Sequence, residues 1–336
     1  MVSLKDISQR CGVSIATVSK ALNNQSDISD ETKRMIRKAA DEMGYFPNAS
    51  ARALRTRRSN SIGVLFVDEA GSGLTHDFFS NVLDAFKVTT EAKGYDIVFI
   101  NRKVGNRSTT YLEHCRYRGV DGVVMACIDF HDKEVEELVN SEIPIVTVDY
   151  TFEGKMAVVS DNVQGMRDLV TYIYNMGHTK IAYIHGADPS VTQSRLGSFY
   201  KTLDGLGVTV PDAYVRAGVY RDTATAAQLT KELLALKDRP TCIMYPDDFA
   251  AMGGIGVIRD MGLRIPEDIS VAGYDGISLA KAMLPKLTTL EQDTGKIGAT
   301  AANGLIDLIE RPKTTIAGRS LIKGRVSAGE SVKKLN

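Results

Sequence analysis

Two groups of side chains in this sequence have types and spacing that suit chemistry, and in both it is the chemistry of recognition. The first is compact: Ser14-Ile15-Ala16-Thr17-Val18-Ser19-Lys20, followed by Asn23. The hydroxyls of Ser14, Thr17 and Ser19 suit phosphate oxygens, Lys20 suits a guanine edge, and Ile15 and Ala16 offer the apolar surface that a thymine methyl accepts. The second group is spread along the rest of the chain and contains Asp149, Arg195, Tyr220, Asp247, Asp275 and Gln292. Carboxylates and an amide pair hydroxyl groups, a guanidinium is a forked donor, and an aromatic face covers the C–H side of a sugar ring. Taken singly, each aspartate has a plainer reading, as a solvated loop residue or the cap of a following helix.

Motifs for breaking bonds are incomplete. Gly71-Ser72-Gly73-Leu74-Thr75-His76 lacks the third glycine of a dinucleotide fingerprint, and Thr294-Gly295-Lys296-Ile297 lacks the spacing and hydroxyl of a phosphate loop. The five histidines show no H-E-x-x-H spacing, and no serine sits in a G-x-S-x-G elbow. His114 and Cys115 are adjacent on a helix-forming stretch, which points their side chains apart. Cys11, Cys115, Cys127 and Cys242 form no C-x-x-C pair, so neither a disulfide framework nor a zinc site is expected. The sequence therefore implies a non-enzyme with no metal and no cofactor.

These groups need elements to position them. Leu4 and Ile7 stand three apart on a first helix, and Cys11-Gly12-Val13 makes a turn. Ser14 then caps a second helix whose buried stripe is Val18, Ala21 and Leu22. Ser29 caps a third, with Asp30 and Glu31 in its first turn, Gly44 past its end and an inner face of Met35, Ile36, Ala39, Ala40 and Met43. Helix-turn-helix geometry places the start of the second helix in a major groove. A plain three-helix bundle with a solvated basic face fits the same pattern. Next, Pro47-Asn48 opens an arginine-rich stretch of about ten residues, too short for a stable helix in water. It suits a helix that forms only on DNA, with Leu54 wedged into a minor groove, and equally a basic linker.

Charge supports a confined nucleic-acid surface. Residues 1–60 hold eleven Lys and Arg against six Asp and Glu, while the rest hold thirty against thirty-five. No apolar run approaches the ~20 residues of a membrane span. Asp6, Asn23 and Asp27 interrupt the first thirty residues, so no secretory core is present and a cytoplasmic location is expected.

From Ser61 onward β-rich runs alternate with helical stretches. Strands are expected at 62–67, 97–100, 122–128, 145–148, 181–185, 215–219, 242–245 and 271–274, with helices at 78–93, 163–176, 223–236 and 249–261. So many strands exceed one lobe, and two doubly wound lobes with a cleft between them are expected. Ligands of such sheets lie beyond the carboxyl ends of the strands, here Asp68–Phe79, Asp129, Asp149-Tyr150, Gly186–Arg195, Tyr220-Arg221, Asp247-Asp248, Asp275 and Gln292.

The head resembles that of the LacI/GalR family of repressors in Leu4-Lys5-Asp6-Ile7, in the run from Val13 to Asn23, and in Gly44-Tyr45, Pro47-Asn48 and Ala51-Arg52-Ala53-Leu54. The body resembles that family's sensor domain, and distantly periplasmic sugar-binding proteins, in Phe78-Phe79, Asp161-Asn162, Gly177-His178, Arg195-Leu196-Gly197 and Pro266-Glu267-Asp268-Ile269. The resemblance implies an all-α helix-turn-helix head on an α/β periplasmic-binding-protein-like body of two doubly wound parallel-sheet lobes. It divides the chain into a head at 1–46, a hinge helix at 47–60, an N-terminal lobe at 61–159 and 291–320, and a C-terminal lobe at 160–290 and 321–336. It further implies a homodimer on a pseudo-palindromic double-stranded operator, with DNA contacts at Ser14, Ile15, Ala16, Thr17, Ser19, Lys20, Asn23, Leu54 and Arg55. The end of the chain carries no leucine heptads, which favours a dimer over a tethered tetramer.

By position the resemblance makes Arg195 the effector-binding arginine, Tyr220 the stacking ring, Asp247 and Asp275 polar contacts and Gln292 a hinge-side contact, with Asp149 and, at the mouth of the first lobe, His76, Asp77 and Phe78. The chain departs from the family with His76-Asp77 where Asn-Pro is frequent, Asp247-Asp248 where Asn-Asp is frequent, and Gly276 where an Asp usually follows Asp275. The added carboxylates disfavour an acidic effector through like-charge repulsion, so a neutral sugar is expected. The alternatives are a solute-binding protein without a regulatory role, and a regulator controlled by a nucleobase or a protein corepressor.

Overall fold

The computed structural model describes residues 2–46, 58–68, 71, 73–187 and 189–335. Leu54, Arg55 and the expected hinge helix as far as residue 57 lie outside them. The chain forms two compact units, residues 1–59 and 60–336.

The first unit carries α1 (Leu4–Cys11), α2 (Ile15–Leu22) and α3 (Asp30–Glu42). Ser3 Oγ accepts from the Asp6 N–H while the Asp6 carboxylate accepts from the Ser3 N–H, a reciprocal box that fixes the start of α1. Gly12, at φ +68°, closes α1 in the left-handed turn that a Cβ would strain. Ser14 Oγ accepts from the Thr17 N–H at 3.1 Å and Ser29 Oγ from the Thr32 N–H at 3.2 Å, as their sequence positions require. Ile7, Val18, Ala21, Ile36 and Ala40 interlock as the core. The expected inner face of α3 needs one correction. Met35 is exposed and Lys33 is buried, because the packed face runs 33, 36, 40 in helical phase and Met35 falls off it. Lys33 Nζ reaches back to Asp30 Oδ1 at 3.4 Å.

Among the described residues, the second unit holds two six-stranded sheets. The first contains β1 (Ser61–Phe66), β2 (Asp96–Phe99), β5 (Gly122–Ala126), β6 (Ile145–Val148), β7 (Met156–Ser160) and β13 (Arg319–Ile322), ordered β13-β7-β6-β5-β1-β2 and parallel throughout. The second contains β8 (Ile181–His185), β9 (Val215–Ala217), β10 (Cys242–Met244), β11 (Ser270–Asp275), β12 (Thr288–Glu291) and β14 (Arg325–Ser327), ordered β14-β12-β11-β10-β8-β9 with β14 antiparallel. A small hairpin, β3 (Lys103–Val104) and β4 (Arg107–Ser108), lies apart. Both sheets reverse direction about their first strand, the arrangement that leaves a crevice at the carboxyl ends.

Helices cover both faces of each sheet, which is why central strands such as Gly122–Ala126 read as unbroken apolar runs. In the first lobe, helices Asp77–Ala92 and Thr294–Glu310 close one core with Val64, Val82, Phe86 and Leu305. Gly298 allows their backbones to meet, since a Cβ there would stand 2.2 Å from the Val82 carbonyl oxygen. In the second lobe, helices Thr223–Leu234 and Asp248–Asp260 cover one face, and Asn162–Asn175 and Pro189–Gly205 the other.

The chain passes between lobes after Ser160, Glu291 and Ile322, one or two residues beyond the boundaries expected from the resemblance, because strands β7, β12 and β13 run that far. Asp161 and Asp293 cap the helices that follow the first two crossings. Two expectations are corrected. Strands β12, β13 and β14 carry no apolar run and β7, the run Met156-Ala157-Val158-Val159, was missing from the expected strands, while Arg195 lies not directly after β8 but within a helix that starts at Pro189. Proline suits the first turn of a helix, where no N–H is needed.

Candidate functional site

On the head, the candidate surface is the start of α2. Ser14, Ile15, Ala16, Lys20 and Asn23 are exposed, while Thr17 and Ser19 are half-buried. Ile15 is 48% exposed, an apolar side chain that the core does not use. Ser14 Oγ is engaged in capping and also meets Thr17 Oγ1 at 2.9 Å. Lys20 pairs with Asp27, which holds the Asp27 carboxyl below its usual range and keeps the ammonium at the surface. The arrangement offers hydroxyls, one cation and an apolar tip on a single exposed turn.

In the body, the residues beyond the strand ends of the two sheets meet. Arg195 is buried, donates from Nε to Asn162 Oδ1 at 2.8 Å and from Nη1 to the Pro246 carbonyl at 2.9 Å, and stacks 3.5 Å from the centre of the Tyr274 ring. Its Nη2 lies 4.0 Å from Asp275 Oδ1. Asp275 Oδ1 also accepts from Gln292 Nε2 at 2.7 Å, and burial pushes the Asp275 carboxyl up to about 7 despite both partners. The Tyr220 ring rests against Gly186, where any Cβ would stand 2.1 Å from it, and its hydroxyl is 3.0 Å from Thr192 Oγ1. Asp149, from the first lobe, accepts from the Ser160 N–H at 2.8 Å and is close enough to Asp275 and Tyr274 to raise their pKa values.

Cys127, Asp149 and Asp275 at strand ends, and Arg221 four residues beyond β9, have φ values of +52°, +57°, +105° and +59°. Side chains rarely adopt such backbone, and its concentration around one cleft marks a constrained site. Among the described residues, the buried polar atoms without a protein partner include Tyr183 OH, Tyr274 OH, Ser160 Oγ, Gln292 Oε1 and His76 Nδ1. Tyr183 and Tyr274 neighbour Arg195, and Gln292 neighbours Asp275. Leaving such groups unpaired costs ~1–3 kcal/mol each, so a cluster of them is a natural place for a polar ligand. A cavity of ≈ 300 Å³ at the inter-lobe crossings includes Gln292 and Arg325 in its lining. A larger one, ≈ 700 Å³, lies between the Asn162–Asn175 and Pro189–Gly205 helices against Arg167 and Lys201, away from these atoms, and is not the candidate site.

Several sequence expectations change here. Phe78 is buried in the first-lobe core, and Phe79 is the ring that meets His76 and Phe66, because the inward face of the helix takes the first of the pair. Asp247 and Asp248 do not present free carboxylates. Asp247 accepts from the Arg221 and Ala250 N–H groups, and Asp248 from Thr289 Oγ1 and the Ile277 N–H. Their charges still act in the cleft, since Asp247 helps to raise the Asp275 carboxyl and Asp275 the Asp248 carboxyl. His76 neither caps its helix nor ionises readily, since burial and then Arg221 push it down to about 4. Asn162, Tyr183, Tyr274 and Arg221 were absent from the expected contacts. The two tyrosines sit in strands and read as core, and Asn162 reads as the start of a helix. Arg221 alone had a signal, its place directly after Tyr220 beyond β9.

A family model described as bacterial regulatory proteins, lacI family, matches residues 3–48, and one described as a periplasmic binding protein-like domain matches residues 170–332. The HTH-type transcriptional repressor PurR of Vibrio vulnificus is 30% identical over 316 residues, 92% of each chain. The solved structure of the lac repressor dimer bound to operator and an anti-inducer is 26% identical, with a TM-score of 0.81 over 99% of both chains. A LacI family transcriptional regulator of Enterococcus faecium with bound ribose is 25% identical, with a TM-score of 0.71 over 82% of this chain and 100% of the other.

Proposed function

Since this chain belongs to the LacI family of bacterial regulatory proteins, a DNA-binding transcriptional repressor with a ligand-binding body, we propose that a sugar held between its two lobes controls its grip on an operator. The working species in this reading is a homodimer in the cytoplasm. Its two heads read the halves of a pseudo-palindromic site with Ile15, Ala16 and Lys20 at base edges and Ser14, Thr17, Ser19 and Asn23 nearer the phosphates. Lys20 must leave Asp27 to do so, an exchange of one exposed ion pair for another that costs little. Leu54 and Arg55 complete the contacts from the hinge.

One observation carries the effector reading. Tyr183 OH, Tyr274 OH and Gln292 Oε1 are buried without partners beside Arg195 and Asp275. A ring of hydroxyls satisfies such a set, and Tyr220 supplies the aromatic face. The relative solved with ribose supports a sugar. Binding that joins or parts the lobes changes how the two hinge segments approach one another, and operator affinity follows.

The test is thermal unfolding of the full chain against neutral sugars, sugar acids, sugar phosphates, polyols and nucleobases, followed by operator binding with any ligand found. A sugar that raises the unfolding temperature and shifts operator affinity supports the reading. Stabilisation by a nucleobase alone would overturn it. Arg195→Lys keeps the charge but loses the fork to Asn162 and Pro246, and effector affinity should fall at least about tenfold.

A further inference from the structure

His178 is a titratable side chain that the cleft does not use. It lies between the helix Asn162–Asn175 and β8 and is fully buried. Its Nε2 is 3.0 Å from the Lys333 carbonyl oxygen, and its Nδ1 is 2.9 Å from Thr241 Oγ1. A carbonyl only accepts, so Nε2 carries the proton of the neutral ring and Nδ1 accepts from the Thr241 hydroxyl. One tautomer of an uncharged imidazole therefore fastens residue 333 to residue 241, which leads into β10.

Lys333 belongs to a strap, residues 330–335, that crosses the second lobe. Ser331 Oγ donates to the Val271 carbonyl and accepts from the Thr288 N–H, the Lys333 N–H reaches Ser270 Oγ at 3.2 Å, and the Leu335 N–H donates to the Met176 carbonyl at 2.7 Å. Gly177 leaves room for it, since a Cβ there would stand 3.0 Å from the Leu335 carbonyl oxygen. Val332 is buried in the core cluster that contains Tyr183 and Tyr274. The strap thus closes over the starts of β11 and β12, against the core beneath the cleft's tyrosines, with His178 as one of its fastenings.

A proton on Nδ1 would not cost the ring a hydrogen bond, because Thr241 can turn its own hydrogen to the Lys180 carbonyl at 3.2 Å. What it adds is a buried charge. Both partners of the ring are neutral, and burial, joined by the Lys333 ammonium, holds the imidazole below its ordinary range against the pull of the Lys333 carbonyl. The charged groups on the surrounding elements are Lys333 and Lys334 on the strap, Lys180 with its partner Asp238 beside β8, and Glu267 and Asp268 before β11, where the Lys333 ammonium meets the Glu267 carbonyl. A charged ring in this place needs water, and the strap is what keeps water out.

We propose that His178 makes this strap a pH-sensitive fastening, closed while the ring is neutral and loosened when the ring takes a proton. The sign follows from linkage. A ring that is harder to protonate under the closed strap than in water leaves the strap at full stability above about pH 6.5, the ordinary histidine value, and costs it stability as pH falls from there toward the lower closed-state value. Loosening also uncovers the core under Tyr183 and Tyr274, so acid acts on the second lobe's side of the cleft without any ligand being present.

Amide hydrogen exchange on the full chain tests this through the protection of the Lys333 and Leu335 amides, corrected for the intrinsic exchange rate at each pH. Protection should fall severalfold between pH 7.5 and pH 5.5, and by no more than about tenfold, the limit set by one ring proton taken up per opening. His178→Gln supplies an amide donor and acceptor and does not titrate, so it should keep the strap closed and its protection level across the range. Thermal unfolding at pH 7.5 verifies that the variant is folded. NMR titration of the unaltered protein gives a second reading that needs no variant, in which the His178 ring should titrate below about pH 6.5 as protection is lost. Protection that stays constant in the unaltered protein overturns the inference. A fall that persists in folded His178→Gln overturns it as well, because the titration then belongs to Glu267, Asp268, Asp275 or Glu330. So does a His178 ring that titrates at or above pH 6.5 while the strap remains protected.

Discussion

Asp275 is a carboxyl whose surroundings pull in opposite directions. Burial raises it to about 7, while Arg195 and Gln292 restrain the rise. Ligand hydroxyls donate to a carboxylate, so effector binding in the proposed cleft requires Asp275 ionised. Affinity should therefore rise by about tenfold from pH 6 to pH 8, as the ionised fraction rises through a midpoint near 7. Calorimetry across that range checks this, and Asp275→Asn should flatten the profile while weakening binding. The free protein carries the opposite sign. A carboxyl with a folded pKa above its unfolded value retains a proton that the unfolded chain has lost, so this group costs the fold stability progressively between about pH 4 and pH 7. Asp275 is thus a residue whose energetic cost to the fold is recovered only when a ligand uses its charge.

Helices hold these residues in place, and three of their positions are sensitive in different ways. Gly298 lies where the Thr294–Glu310 and Asp77–Ala92 helices touch, and a Cβ there would meet the Val82 carbonyl oxygen and the Phe86 nitrogen within 2.8 Å. Neither is a side chain that can turn aside. Gly298→Ala should cost roughly 1–3 kcal/mol of body stability, read by chemical denaturation. Gly256, in the Asp248–Asp260 helix, has no positive φ, and a Cβ added there would meet nothing within 4 Å, so Gly256→Ala should be neutral or stabilise by about 0.4–1 kcal/mol. In the head, Ser14→Ala removes the acceptor for the Thr17 N–H and should cost about 1 kcal/mol, weakening operator binding through a frayed α2 as well as a lost hydroxyl.

At the scale of the whole molecule, the head and body have separate cores. Ile7, Val18 and Ile36 close the one, and the clusters around the two sheets close the other. Scanning calorimetry of the full chain should resolve two transitions. An effector at about a hundred times its dissociation constant should stabilise the body by about 2.7 kcal/mol and leave the head transition in place. A single transition that shifts as a whole would show instead that the two units unfold together. In the proposed function the ligand contacts lie in the body and the DNA contacts in the head, which the chain joins.

The head was legible almost residue by residue, because its determinants are local. Ser14 and Ser29 cap the helices they precede, and Gly12 supplies a turn that depends only on its neighbours in sequence. The alternation of strands and helices in the body was legible for the same reason, and so were Arg195, Tyr220, Asp275 and Gln292 as candidates. The edge strands were not, since β13 and β14 are short, mixed in polarity and defined by pairing with strands distant in sequence. Nor was it legible which polar groups remain unpaired. Asp247 and Asp275 are the same residue type after similar strands and burial raises both, yet Asp247 accepts from backbone N–H groups of its own lobe while Asp275 accepts from the Gln292 side chain and stands beside Arg195. Sequence determined which groups stand at the strand ends, because the local pattern sets where strands stop. Tertiary structure alone decided which of them have partners, because those partners come from other strands, other helices and the opposite lobe.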